Sequence, residues 1–579
     1  MQDDALLDYI GSVFDRQRII FVADEGQRRE LAAISSCMSV RGGATLFREG
    51  DDSDSIYVIV AGMLGLFAKG PDGELALARR MGAGEVVGEI GFLTGESRSG
   101  TVRALRNSEL LRISGEALEE AALRRPDMMR SLCAAAVRRL LSSERARMAS
   151  SPPRAICVAP VDATDDVDAF IEAIGRALAP FGKVATATFE RDRGRSVAGF
   201  ADLEKTHDFL ILAAKLEAAA WTQFCLRQCD RVLLLASGAR EPHVPEVLGP
   251  DRSFVPEAIP VDLVLRWRGD METTQTARWL NLIRPSAHYH ARAASDVARL
   301  ARLLFGRATS LILSGGGARG LAHVGAIQAL HDQGVDIDAI GGTSIGAVIG
   351  AMHALGWNLA DAARSCVDAF SHNRFTDFAV PRIALFSPRK FERTFGRWFG
   401  ALNIEDTPIP FFCVTTNLSR GKAEIHRSGP LATWLQASTA IPGVFPPVVE
   451  QGAEHVDGGV LNNFPADAAA GFGGGPIIGV DVGSDSGGLR GVVGKTGAPD
   501  GTPAAGPRKM IDLLWRVGTI GAGAANAAGS AKCDVVIRPS VEGVKILAWN
   551  LREQAVEAGY RAVMADIDAI KSAVGSIRT

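Results

Sequence analysis

Several things are missing from this chain, and each absence narrows the answer. No apolar run in its 579 residues reaches the about eighteen needed to cross a bilayer. Any contact with a membrane is therefore expected from a surface, not from a span. The eight cysteines follow no framework of spacings. Cys225 and Cys229 are close together but have no histidine pair nearby, so neither a metal site nor disulfides are expected. Reduced thiols fit a cytoplasmic compartment. The net charge of −3 gives no electrostatic case for nucleic acid. The acidic start, Met1-Gln2-Asp3-Asp4, lacks the basic and apolar parts of a secretory leader. No G-x-x-x-x-G-K-[ST] occurs, so a nucleoside triphosphate site is unsupported. What is abundant is glycine, 63 residues, and hydrophobic side chains, 47% of the total. The length implies more than one domain.

The glycines gather in three informative places. Ser310-Leu311-Ile312-Leu313-Ser314 reads as a buried strand and runs into Gly315-Gly316-Gly317-Ala318-Arg319-Gly320, with an apolar helix expected from about Leu321 to Leu330. Val335 to Ile340 is strand-like and leads to Gly342-Thr343-Ser344-Ile345-Gly346, with a helix expected over Ala347 to Leu355. Strand, tight glycine turn and helix are the setting of a nucleophile elbow, in which Gly342 and Gly346 flank Ser344. The third place is Asp457-Gly458-Gly459.

Each place has a bland reading. A G-x-S-x-G is often an ordinary βα turn, and D-G-G is usually only a turn. Gly315, Gly317 and Gly320 also satisfy a dinucleotide-binding G-x-G-x-x-G, which wants an acid about twenty residues on. Asp336 and Asp338 come close, but their strand runs straight into the second glycine motif. Acyl chemistry explains both motifs at once. Backbone N–H groups of Gly315, Gly316 and Gly317 would hold an oxyanion, Arg319 would add charge or cap the loop, and Asp457 would supply a carboxylate. His323, His353, His426 and His455 keep a Ser-His-Asp arrangement open.

The order G-G-G-x-R-G, G-x-S-x-G, D-G-G resembles the patatin-like phospholipases, as does Ala437-Ser438-Thr439-Ala440-Ile441-Pro442-Gly443-Val444-Phe445-Pro446-Pro447-Val448. The resemblance implies an α/β domain and a Ser-Asp dyad with no histidine. Ser344 is then the nucleophile, Asp457 the base and Gly315 to Gly320 the oxyanion loop. No cofactor is required. Phospholipid or lysophospholipid is the implied substrate, met at a peripheral membrane surface on the inner, cytoplasmic face. Phe375, Phe378, Phe386, Phe391, Phe395, Trp398 and Phe399, interleaved with Arg374, Arg382, Arg389, Lys390, Arg393 and Arg397, read either as core with a solvated face or as an acyl-chain groove on an anionic surface.

Towards the N-terminus, Ile56 to Gly62 and Met63 to Phe67 are strand-like, with turns at Gly50-Asp51-Asp52 and Gly70-Pro71-Asp72-Gly73. An Arg-rich helical pattern runs from about Gly115 to Met148. Gly88-Glu89-Ile90-Gly91-Phe92-Leu93 and Arg98-Ser99-Gly100-Thr101 resemble the phosphate-binding cassette of cyclic-nucleotide-binding domains. That likeness implies a β-roll, with Glu89 on a ribose hydroxyl, Arg98 on a cyclic phosphate, and Gly88 and Ser99 beside them. Val87, Gly91 and Gly100 depart from the family pattern. Cyclic AMP or cyclic GMP is thus an optional regulator, and a β-roll kept for contacts within the chain is the alternative.

Beyond Ser151-Pro152-Pro153, strands at Ala155–Val158, Phe209–Leu212, Arg231–Leu235 and Val261–Leu265 alternate with helices, which implies a parallel α/β layer. Trp221 to Asp230, Trp279-Leu280-Asn281 and His288-Tyr289-His290 resemble the neuropathy target esterase branch. The expected division is a cyclic-nucleotide-binding-like β-roll domain at 1–150, an α/β linker domain at 151–305 and an α/β patatin-like domain at 306–579. A Gly/Pro-rich, mobile stretch is expected over 483–507, and a last strand near Val535–Ile537. The function expected is a serine acyl hydrolase gated by its N-terminal domain. The alternative is a cyclic-nucleotide or partner-binding regulator with a vestigial lipase domain. Homo-oligomerisation stays open.

Overall fold

The computed structural model describes residues 30–483 apart from 32, 70–74, 127–152 (129 and 133 excepted), 163–166, 250–252, 257–258, 268–274, 372–387 and 473, and residues 522–575 apart from 542. Phe375, Phe378, Phe386, Arg374, Arg382, most of the Gly/Pro-rich stretch and the later part of the Arg-rich pattern lie outside the described residues. The chain divides into two compact units. One holds residues 1–237, 243–265 and 282–288, and the other holds the remainder.

In the first unit eight short strands form a roll: β1 (Ser35–Val40), β2 (Thr45–Phe47), β3 (Ser55–Ala61), β4 (Met63–Lys69), β5 (Leu75–Gly82), β6 (Val86–Val87), β7 (Thr101–Ala104) and β8 (Ser108–Ser114). They make two antiparallel sheets, β1-β8-β3-β6 and β2-β7-β4-β5. Strand β3 is buried on both faces. Ile56, Val58 and Val60 pack with Leu118 and Ala121 of the helix Gly115–Arg124. Tyr57 and Ile59 point into the roll against Leu64, Met81 and Val102. This period of two sorts one strand into two cores.

The same unit continues with β9 (Ala155–Pro160), β10 (Val184–Ala187), β11 (Phe209–Ala213), β12 (Arg231–Ser237) and β13 (Val261–Arg266). Within this unit they run in the order β10-β11-β9-β12-β13. Pairing is parallel where β9 meets β11 and β12. All four expected strands are present. The fifth, β10, is short, and its Val-Ala-Thr-Ala sequence carries little apolar signal.

Arg106 ties the roll to this sheet. Its guanidinium is buried and donates to both oxygens of Glu204 at 2.8 and 2.7 Å and to the carbonyl of Gln228 at 3.2 Å. Asp230 lies 3.7 Å away. The two carboxylates hold the guanidinium in its charged form against the cost of burial. Arg106→Ala would leave two buried carboxylates uncompensated. The expected loss is about 3–5 kcal/mol, read from denaturant unfolding of the full chain; a loss under about 1 kcal/mol would place the pair among surface ion pairs instead.

In the second unit a strand β14 (His288–Ala291) and the helix Ala294–Leu304 lead to the catalytic-type sheet. Its strands are β15 (Ser310–Leu313), β16 (Ala339–Thr343), β17 (Phe411–Asn417), β18 (Lys422–His426), β19 (Val448–Glu450), β20 (Ala453–Asp457), β21 (Ile477–Val480) and β22 (Val535–Ile537). The order is β19-β20-β17-β16-β15-β21-β22, with β18 also on β17. Strands β17, β16, β15, β21 and β22 are parallel, while β18 and β20 run against β17. The expected strand over 335–340 starts only at Ala339. Asp338 is spent on an anchor instead, accepting from the Thr309 N–H at 2.9 Å and from Arg302.

The helix Ala322–Asp332 packs on the C-terminal helix Arg552–Ala565. A side chain at Gly325 would run into the Val556 carbonyl, and one at Gly559 into the Ala322 carbonyl. The two backbones are therefore nearly in contact.

Candidate active site

Strand β16 delivers Ser344 to the tip of a turn with φ 54° and ψ −127°, and the helix Ile345–Ala354 starts immediately after it. A positive φ on a serine is uncommon and has to be held by its surroundings. The holding is visible. The Ser344 N–H donates to the Ser438 hydroxyl at 2.9 Å, which itself donates to the Val414 carbonyl at 2.7 Å. Thr343 bonds the Asn462 carbonyl at 2.9 Å. Gly342 and Gly346 are required by crowding, because a side chain at either would meet the Leu313 carbonyl at 2.6 Å.

Strand β20 ends at Asp457, directly opposite Thr415 of β17. The Ser344 hydroxyl donates to Asp457 Oδ2 at 2.7 Å. The other oxygen, Oδ1, accepts the Gly459 N–H at 2.8 Å. Ser344 is 4% exposed and Asp457 1%. Burial disfavours the carboxylate and pushes the Asp457 pKa up to about 7, although its two hydrogen bonds pull the other way. A base at that value suits neutral pH.

No histidine replaces the aspartate among the described residues. His323 is buried against the Ser314 carbonyl at 2.8 Å, and burial pushes its pKa down to about 4. His353 is likewise buried and pushed down to about 4. His455 shares the face of Asp457 but bonds the Thr415 hydroxyl at 3.1 Å, and that hydroxyl also meets His426 at 2.7 Å. Glu424, His426 and His455 place potential metal-ligating atoms within 4.8 Å of one another. Two of them come from β18 and one from β20, so spacing along the chain gave no sign of the group. The Thr415 hydroxyl engages one nitrogen of each ring.

The glycine loop is modified in detail. The Gly315 N–H is already bonded to the Asn463 carbonyl at 3.1 Å. Gly315 is thus a wall of the site, not an oxyanion donor. Gly316 and Gly317 have N–H groups with no partner among the described residues, and Gly317 has φ 57°. Arg319 donates from Nε to the Val544 carbonyl at 2.8 Å, while the Ala318 N–H donates to the Ile546 carbonyl at 2.7 Å. The arginine is a strut for the loop. Of the aromatic segment, Phe391, Phe395 and Phe399 are buried in the main core, and Arg389, Arg393 and Arg397 face solvent on the same helix, Pro388–Phe399.

In the roll, Gly88 caps the short helix Glu89–Thr94, and Glu89 is buried. Ser99 is exposed. Arg98 is only 3% exposed. It donates to the carbonyls of Gly88 at 2.9 Å and Ser55 at 2.7 Å, and lies 4.4 Å from the Phe47 ring centroid. Gly91, one of the departures from the cassette pattern, has a spatial reason: a side chain there would strike the Ser53 hydroxyl.

A strained serine over a buried aspartate, beside a glycine loop in an α/β sheet, defines a class that comparison with known proteins also returns. A patatin-like phospholipase model matches residues 311–470, and the chain carries a patatin-like domain there. Two further models narrow this: a cyclic nucleotide-binding domain at 37–125 and the neuropathy target esterase family P-loop like domain at 154–302. Relatives named for the neuropathy target esterase family align with most of the chain. An uncharacterized NTE family protein of Mycobacterium tuberculosis is 29% identical over 573 residues, covering 94% of each chain. Patatin-like phospholipase domain-containing protein 7 of mouse is 30% identical over 516 residues, and neuropathy target esterase sws of Drosophila melanogaster 28% over 542. This chain covers 77% and 81% of itself in those two alignments, but only 38% of either animal protein.

Ser438 stands in a motif singled out above but without a role there, and Asn463 lies four residues beyond the third glycine motif. The available signal was a polar residue inside an otherwise apolar motif. With a base pushed up to about 7, kcat/KM on a soluble ester is expected to rise with pH through that value and level off above it, as Asp457 ionises. An acid limb near the ordinary carboxylate value of about 3.9 would remove Asp457 as the buried base.

Proposed function

We propose that the protein hydrolyses carboxylic ester bonds of phospholipids or lysophospholipids through an acyl-Ser344 intermediate. The observation that carries this is the 2.7 Å bond from the Ser344 hydroxyl to Asp457. Asp457 accepts the proton as Oγ attacks the acyl carbon. The N–H groups of Gly316 and Gly317 face the oxyanion that forms, helped by the positive end of the helix that begins at Ile345. Asp457 then gives its proton to the departing alcohol. The same geometry would serve any ester; the lipid substrate is inferred from the patatin-like domain.

No helix among the described residues is long and apolar enough to cross a membrane. The outward arginines of the helix Pro388–Phe399 suit approach to an anionic lipid surface from one side. The domain limits that fit this reading are 1–150, 151–305 and 306–579.

Ser344→Ala and Asp457→Asn should each remove turnover by at least about a thousandfold while leaving the fold intact by circular dichroism. Mass spectrometry of products from mixed phospholipids and lysophospholipids supplies the bond and head-group preference. Turnover that persists in Ser344→Ala would overturn the reading.

A regulatory role for the roll rests on Gly88, Glu89, Arg98 and Ser99. To bind a cyclic phosphate, Arg98 must leave two carbonyl hydrogen bonds worth about 1.5–3 kcal/mol each. Binding should be weaker by about a hundredfold or more than at a site with a free arginine. Calorimetry with cyclic AMP and cyclic GMP checks this. Tight binding that survives Arg98→Ala would overturn the assignment of the phosphate partner.

A further inference from the structure

Asn463 has a hydrogen-bond capacity that the mechanism above does not use. Its side chain is 7% exposed. Its Nδ2 donates to the Gly315 carbonyl at 3.2 Å, which fixes the direction of the amide. The other end, Oδ1, is buried and has no partner among the described residues. Leaving a buried acceptor unpaired is costly, so a native one calls for an explanation.

The position of that oxygen is informative. A side chain at Gly315 would run into Asn463 Oδ1 and come within 3.1 Å of Ser344 Cβ. A side chain at Gly459 would stand 2.8 Å from Asn463 Oδ1 and 3.0 Å from Asp457 Oδ1. The missing side chain of Gly459 therefore leaves a point from which both acceptor oxygens can be reached. A hydroxyl there could donate to either oxygen, beside the serine that carries the acyl group.

We propose that Asn463 Oδ1, with the space left by Gly459, seats the O–H of the acyl acceptor in the second half of the reaction. The acceptor is water in hydrolysis, or a small alcohol in acyl transfer. Its oxygen attacks the carbonyl carbon of acyl-Ser344 and its proton passes to Asp457. The bond from that carbon to Ser344 Oγ breaks, and Oγ recovers the proton from Asp457. The free acid or the new ester leaves. This rests on the acyl-enzyme reading of Ser344 but adds a separate requirement: Asn463 acts on an O–H, so it is needed in deacylation but not in the release of a leaving group, such as p-nitrophenolate, that departs without a proton.

The two steps separate with a p-nitrophenyl ester. Chromophore release with enzyme in excess gives acylation, and the steady state after the burst gives deacylation. In Asn463→Ala, acylation should be unchanged and deacylation slower by roughly tenfold to a hundredfold, with a burst stoichiometric with enzyme. If that variant does not fold, Asn463→Ser is read for the same ratio. A role confined to holding Gly315 would slow both steps together, and that outcome overturns the proposal, as does an unchanged ratio. Partition between water and added methanol gives a second readout, since seating the acceptor predicts that the variant changes it. If the native protein releases no chromophore that depends on Ser344, the acyl-enzyme reading fails, and this assignment fails with it.

Discussion

The site depends on a carboxyl group kept away from water. Burial opposes the charge on Asp457 and pushes its pKa up to about 7, the condition for the role of base proposed above. That burial needs the sheet corner where β20 runs back along β17 and ends beside the tip of β16. The same corner puts Ser438 under the serine and Asn463 over the glycine loop. A histidine would have eased the proton chemistry, but the nearby ones are engaged elsewhere. His323 is buried on a carbonyl, and His426 and His455 share a threonine. The pairing of Ser344 with Asp457 is thus made away from water, beneath a turn in which the serine has a positive φ.

Much of this was legible in the sequence because local chemistry dictates it. Glycines before and after Ser344 mark a turn, since the Leu313 carbonyl occupies the space a side chain would need. Alternation in β3 and the apolar runs of β9, β11, β12 and β13 are period signals, and they located strands to within a residue or two. The misses have a common cause in long-range contact. The reach of a strand over 335–340 failed because Asp338 is held by Arg302 and Thr309. Gly315 looked like a donor until Asn463 was placed against it. Of the two roles open to Arg319, charge or a cap on its loop, the bond to the Val544 carbonyl fits the cap, and Arg98 is bonded to the carbonyls of Gly88 and Ser55. Sequence tells which residue type is present; partners brought from distant strands decide which way it points.

The inward Arg98 also separates fold from ligand. A roll can keep its two cores, its cassette helix and its arginine with the arginine bonded to backbone carbonyls. Gly91, which weakens the helix in isolation, is kept by the space it leaves for Ser53. Packing and recognition are written in the same few residues, and here packing has the stronger claim on them.

One further consequence follows from the strut beneath the glycine loop. Ala318 and Arg319 are held by the carbonyls of Ile546 and Val544, and the helix behind them is closed by Arg552–Ala565. Those partners are made more than two hundred positions later. As the chain leaves the ribosome, the serine and the aspartate emerge well before the segment that steadies the loop between them. The nascent protein is therefore an incomplete hydrolase for most of its synthesis. The glycine loop lacks these two supports until the segment carrying Val544 and Ile546 has been made.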